Sequence, residues 1–359
     1  MIFVDAHRDI AYDAFYFDRD YRHSVADNRQ RETGTRLAEI NGTATTGFID
    51  ALNANLGLVF ATLFVEPASY IAWGNMSETT RLHTEFYETP QQAHDMALRQ
   101  LSYYETLAAE HDRITLVRNQ AELDAVLATW ADNAPIDQRQ QGLVILMEGA
   151  DPVMEPAQFA EWYARGVRVL GTSWTRTRYA GGTNAPGPLT DDGRALLKEM
   201  ARHNALLDLS HMAQDAYEEA LDTYEGHIIA SHSLPTHICN TDRHIHDEGI
   251  RKLAARDGVL GIVLLASLWC TDNTELTINR VIEAVDYVCQ LTGSATHVGF
   301  GSDFYAGVGS NGIPVEMDSV RDWPMLTMGL HSRGYTSSDI EAIMGGNMLR
   351  KLRQTLPQA

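Results

Sequence analysis

Eight short apolar runs, spread along the chain and separated by longer amphipathic stretches, constrain the fold more than any other feature of this sequence. They are Ile2 to Ala6, Leu56 to Val65, Leu143 to Met147, Val167 to Thr172, Leu206 to Leu209, His227 to Ala230, Val259 to Leu265 and Val298 to Phe300. Short apolar runs alternating with amphipathic helices predict βα units around a parallel sheet, whose strands are buried on both faces. Helices are expected over Pro90 to His111, Gln120 to Ala131, Ala157 to Arg165, Asp191 to Asn204, Gln214 to Tyr224, Asp247 to Arg256, Ile278 to Leu291 and Ser337 to Met344. Capping oxygens and first-turn acids support two of the starts, at Thr190-Asp191-Asp192 and Thr336-Ser337-Ser338-Asp339. Ile114 to Val117 reads as an extra short strand, and Ile10 to Asn53 as a long polar and aromatic excursion after the first strand, with no clear periodicity. Excursions of that length serve function or form a lid. With no repeat, low-complexity tract or linker, residues 1–359 read as one domain.

Composition narrows the partners. The 28 basic and 48 acidic residues give a formal charge of −20, which repels nucleic acid and anionic membranes. No apolar run approaches the roughly 20 residues of a membrane helix, and no basic segment followed by an apolar stretch marks a signal peptide at the N-terminus. The three cysteines, Cys239, Cys270 and Cys289, show no CxxC spacing. Neither a disulfide framework nor a zinc ribbon is expected from them, and a reducing cytoplasm fits best.

Polar clusters follow several of the apolar runs. In Asp5-Ala6-His7-Arg8-Asp9, alternation along a strand puts Asp5, His7 and Asp9 on one face, where two donors can grip one metal ion. Glu148 ends Leu143-Val144-Ile145-Leu146-Met147, where it can bridge two metals or simply reach solvent beside Gly149. His211 and His232 close two further strands, and neutral imidazoles at neighbouring strand ends suit a zinc-type ion; Asp208 or nearby serines can fix their tautomers. Asp303, after Val298-Gly299-Phe300-Gly301-Ser302, is either a turn-forming acid or a proton carrier. Arg243 can hold a substrate carboxylate bidentately or pair with Asp242 or Asp247. His244 and His246 rank lower because no strand precedes them. The Gly-rich stretch Ala180 to Gly187 lacks a nucleotide-binding context and reads as a loop over the site. The aromatics between Tyr12 and Tyr21 either line a pocket or pack a loop.

In this order the clusters resemble the membrane dipeptidase (renal dipeptidase) family of zinc peptidases, within the metal-dependent amidohydrolase barrels. The match rests on Asp5-Ala6-His7-Arg8-Asp9, Met147-Glu148-Gly149, Asp208-Leu209-Ser210-His211, Ser231-His232-Ser233, Arg243 and Gly299-Phe300-Gly301-Ser302-Asp303-Phe304. The resemblance implies a (β/α)8 TIM-type barrel with two zinc ions at its C-terminal face. It assigns His7 and Asp9 to one ion, His211 and His232 to the other, and Glu148 to both. A hydroxide between the ions would attack a dipeptide's peptide bond, Asp303 would shuttle the proton, and Arg243 would hold the C-terminal carboxylate. Family members often accept a D-residue on the C-terminal side, and a homodimer is implied by resemblance alone. Two positions depart from the family pattern. Trp174 stands in place of a histidine thought to stabilise the oxyanion, which makes it a substrate-binding candidate, and Tyr305 follows Phe304 where a second acid is usual. Arg176, Arg178, Tyr179 or His237 can supply the missing donor. The rival readings are an amidohydrolase acting on N-acyl amino acids or another small carboxylate-bearing amide, and a metal-binding barrel without turnover.

Overall fold

The computed structural model describes residues 1–69, 85–131, 134–270, 275–304 and 307–358. Eight parallel strands carry the fold: β1 (Phe3–Arg8), β2 (Leu56–Phe64), β3 (Gln141–Glu148), β4 (Val167–Gly171), β5 (Leu206–Asp208), β6 (Ile228–Ser233), β7 (Val259–Val263) and β8 (Val298–Gly301). They pair in sequence order, and the short strand Ile114–Leu116 adds to β3. The ends of the sheet meet through a side chain and a backbone hydrogen bond. The Asp5 carboxylate accepts from the Ser302 nitrogen at 2.7 Å and from its hydroxyl at 2.6 Å, and the Asp303 nitrogen donates to the His7 carbonyl at 3.2 Å. The expected (β/α)8 barrel is thus the observed architecture.

Strand alternation sorts the core. Along β2, Leu58 and Phe60 pack in the barrel interior with Val4, Ala6, Val144 and Leu146, whereas Val59, Ala61 and Leu63 join the outer core under the helices. Met348 and Leu352, on the helix Asn347–Thr355, belong to the interior cluster and plug its N-terminal end. That helix lies beyond the expected C-terminal one, and another helix not expected from sequence, Pro324–Ser332, precedes it. Lys351, on Asn347–Thr355, is fully buried and donates to the Asp257 carbonyl at 3.0 Å.

Two expectations about loops change. The excursion after β1 is helical, with segments Ile10–Tyr16, Val25–Glu32, Arg36–Asn41 and Phe48–Asn53. Helices of six to eight residues are too short to show a 3.6-residue period, and a capping box at Ser24 and Asp27 starts the second of them. The Gly-rich stretch is a hairpin, Ala180–Gly182 paired with Ala185–Leu189. Gly182 is required by contact, since a Cβ there would lie 2.5 Å from the Thr175 carbonyl oxygen.

The cysteine reading is corrected. Cys239 and Cys270 form a disulfide, and Cys289 is free. Cys239 lies beyond β6 and Cys270 beyond β7, so neighbouring strands bring to one rim two residues that are 31 apart in sequence. Such a pair leaves no local spacing to read. Disulfides are rare in reducing compartments, so this one removes the ground for expecting a reducing cytoplasm. Among the described residues, no helix is long and apolar enough to cross a membrane.

Candidate metal centre

The barrel delivers the expected polar residues to its C-terminal rim, where (β/α)8 folds carry their chemistry. His7 lies in β1 and Asp9 just after it, Glu148 ends β3, His211 follows β5, His232 lies in β6 and Asp303 follows β8. With Arg243, in the loop beyond β6, none of them is more than 7% exposed. His211 (φ 68°) and Asp303 (φ 57°) both adopt the left-handed backbone region. That conformation costs a non-glycine residue of order 1 kcal/mol, and it is kept where a turn must aim a side chain.

The side chains converge on Glu148. Its Oε1 lies 3.1 Å from His211 Nε2 and 3.4 Å from His232 Nε2, and these two nitrogens are 3.2 Å apart. Its Oε2 lies 3.5 Å from His7 Nε2, which in turn is 3.6 Å from Asp9 Oδ1 and 3.7 Å from Asp303 Oδ1. Two ligands at about 2.1 Å on a tetrahedral ion are themselves about 3.4 Å apart, so both sets have the spacing of donors to one cation. Both ring nitrogens of His7 are buried without a hydrogen-bond partner among the described residues. A cation is what such an atom, facing three carboxylates, would accept.

Neighbours set the tautomers. The Ser231 hydroxyl lies 2.8 Å from His232 Nδ1 and donates to Asp208 at 2.5 Å, while Thr183, at the hairpin turn, lies 3.0 Å from His211 Nδ1. With its hydrogen given to Asp208, Ser231 accepts from His232 Nδ1, and the His232 Nε2 lone pair faces Glu148. Asp9 sits at the N-cap of Ile10–Tyr16 yet caps nothing, and its carboxylate instead accepts from the Thr62 hydroxyl.

Electrostatics agree with a cation site. Burial, followed by the Arg243 charge, holds His211 down at about 3, so it stays a neutral donor; burial, then His7 and Arg243, holds His232 well below the imidazole range. His7 goes the other way: burial opposes its charging, but Glu148 and Asp9 outweigh it and raise the pKa well above the usual value. Burial also opposes ionisation of Glu148, yet the His7 charge and the polar contacts of the His211 and His232 rings keep it well below the carboxylate range. Asp303 is pushed up to about 7, first by burial and then by Asp9 and Glu148, against the pull of His7 and Arg243.

Arg243 is neither of the paired structural forms considered from sequence. Asp242 accepts instead from the Asn184 nitrogen at 2.8 Å, and Asp247 from the Tyr287 hydroxyl at 2.7 Å. The guanidinium donates to the His232 carbonyl at 2.7 Å, while its buried Nε and Nη1 have no hydrogen-bond partner among the described residues. His244 and His246 are not at the centre. His244 Nε2 lies 2.8 Å from the Leu268 carbonyl, and His246 caps the helix Asp247–Ala255.

Comparison with known proteins agrees with this geometry. The membrane dipeptidase family (peptidase family M19) matches residues 1–358. The chain belongs to that family. It is 27% identical to mouse dipeptidase 3 over 68% of this chain and 50% of that protein, and 24% identical to an uncharacterised Acinetobacter calcoaceticus protein over 67% of this chain and 78% of that one. It thus spans about half the length of the mouse relative. A Rhodobacter sphaeroides metallopeptidase, solved with a phosphinate mimic of L-Ala-D-Ala, superposes over 99% of both chains with a TM-score of 0.77 at 20% identity, a likeness of fold.

Within the membrane dipeptidase pattern, Trp174 is the conspicuous departure. Its half-buried ring meets Phe64 edge-on at 5.0 Å and lies 6.0 Å from the His211 ring, so it walls the centre on the β4 side. Indole lacks the charge of an imidazolium. The candidate replacements are engaged elsewhere: Arg178 with Asp151 and the Val153 carbonyl, Arg176 with the Pro186 carbonyl, Tyr179 with the Val153 carbonyl, and His237 stacked on Tyr287. Tyr305 lies outside the described residues. Sequence reasoning did not find Thr62 or Thr183, because a hydroxyl's partner across strands leaves no local signal.

Proposed function

We propose that this chain is a dinuclear zinc dipeptidase. The observation that carries the reading is Glu148, whose two oxygens face separate imidazole sets, His211 with His232 on one side and His7 with Asp9 on the other. These residues would hold two ions. When bound, zinc supplies Lewis-acid polarisation of a carbonyl and acidifies water.

The chain's own groups supply the rest. Asp303, pushed up to about 7, is poised to take a proton from the attacking water at its carboxylate and pass it to the leaving amine. Arg243 offers two unpartnered nitrogens, Nε and Nη1, as donors to the substrate's C-terminal carboxylate. Trp174 and Phe64 give the pocket an apolar wall beside the scissile bond. Resemblance to the family alone supports tolerance of a D-residue at the C-terminal side and a homodimer.

A panel of dipeptides, including L-Xaa-D-Xaa pairs, assayed beside N-acyl amino acids with zinc-loaded protein tests the reading. Dipeptide cleavage is expected; turnover of N-acyl amino acids alone would move the assignment to an amidohydrolase. Arg243→Ala should raise KM about 10- to 100-fold for dipeptides with a free carboxylate and leave C-terminally amidated analogues within about threefold. Equal losses on both would remove the clamp.

A further inference from the structure

Glu66 is a buried acid at the mouth of the barrel that the metal centre does not use. Strand alternation places it there. Thr62 and Phe64 lie on the interior face of β2, Thr62 bonding Asp9 and Phe64 paired in register with Glu148, while Leu63 and Val65 pack in the outer core. Glu66, two residues beyond Phe64, continues the interior face, about 7 Å further out along the strand. Pairing of Glu66 with Phe86 and of Pro67 with Tyr87 fixes its backbone. The side chain is 4% exposed and accepts from the Tyr12 hydroxyl at 2.7 Å; among the described residues it has no ion-pair partner.

A buried carboxylate with one neutral donor is costly unless a cation reaches it. Burial, with smaller contributions from Asp9 and Glu148 and against the Tyr12 hydrogen bond, pushes Glu66 up to about 7, so it lies within the field of the metal centre. In an eight-strand barrel, β2 and β6 are diametrically opposed. Glu66 follows β2 and Arg243 follows β6, so an acidic and a basic group leave opposed strands at the mouth, and the Glu148 charge acts on both.

Resting on the dipeptidase reading, we infer that Glu66, held by Tyr12, binds the N-terminal ammonium of the substrate while Arg243 binds its carboxylate. Glu66 is then the residue by which this site favours a free amine over an N-acylated one.

The test compares kcat/KM for L-alanyl-L-alanine and its N-acetyl derivative on zinc-loaded protein. Wild type should prefer the free amine at least about tenfold, and Glu66→Gln should lower kcat/KM for the free dipeptide about 10- to 100-fold while leaving the N-acetyl substrate within about twofold. Glu66→Asp, which keeps the charge, should retain part of the preference. Because both substrates are assayed on one preparation, their ratio does not depend on the fraction of folded enzyme. A wild type indifferent to acetylation, or a Glu66→Gln variant that loses both activities equally, would overturn the inference while leaving the dipeptidase reading intact. Failure of wild type on every dipeptide would instead overturn the reading beneath it.

Discussion

Glu148→Gln is expected to abolish metal retention and to lower kcat/KM on dipeptides by at least about a thousandfold. That factor is about 4 kcal/mol of transition-state stabilisation, which is within what Lewis-acid catalysis contributes. The argument is geometric. Each carboxylate oxygen of Glu148 faces a different imidazole set at 3.1 to 3.5 Å, and the neutral amide offers one oxygen where the carboxylate offers two. The amide nitrogen would point its hydrogens at His7 or at the His211 and His232 pair. Metal analysis and steady-state kinetics on the same preparation check this. A variant that kept its metals and its rate would mean that Glu148 bridges nothing.

Asp303→Asn should behave differently, keeping its metal content and lowering kcat about 10²- to 10⁴-fold with little change in KM, as expected for loss of a positioned acid–base group. The carboxyl is suited to that task because burial and the nearby Asp9 and Glu148 hold it at about 7, where it can both accept and release a proton. Asparagine preserves its shape but cannot carry the proton. Its Oδ1 also lies 3.7 Å from His7 Nε2, within reach of the His7 and Asp9 donor set. Loss of metal from the variant would therefore mark Asp303 as a ligand, and an unchanged kcat would remove its proton role.

What the sequence made legible follows from how a parallel barrel is built. Strands buried on both faces read as continuous apolar runs, so a charged residue at the end of one stands out; that is why His7, Glu148, His232 and Asp303 could be picked from the chain. The alternation of those runs with amphipathic segments likewise marked the sheet order. The features that escaped are those defined by neighbours across strands. Thr183 reaches His211 from a hairpin read as a loop, and Cys239 meets Cys270 across adjacent strand exits. Glu66 gave no signal in the sequence, because what singles it out is its place two residues beyond Phe64, the register partner of Glu148, and its contact with Tyr12. The short helices after β1 escaped for want of length. One of them places Tyr12 against Glu66, and Tyr12 and Phe17 pack with Phe64 and Leu37 in a small buried cluster.

The account rests on one buried carboxylate serving two ions. Elemental analysis of metal-stripped protein reconstituted with zinc and freed of excess ion tests that most directly. It should find about two zinc ions per chain, consistent with a two-metal site. One ion per chain, or none, would contradict it.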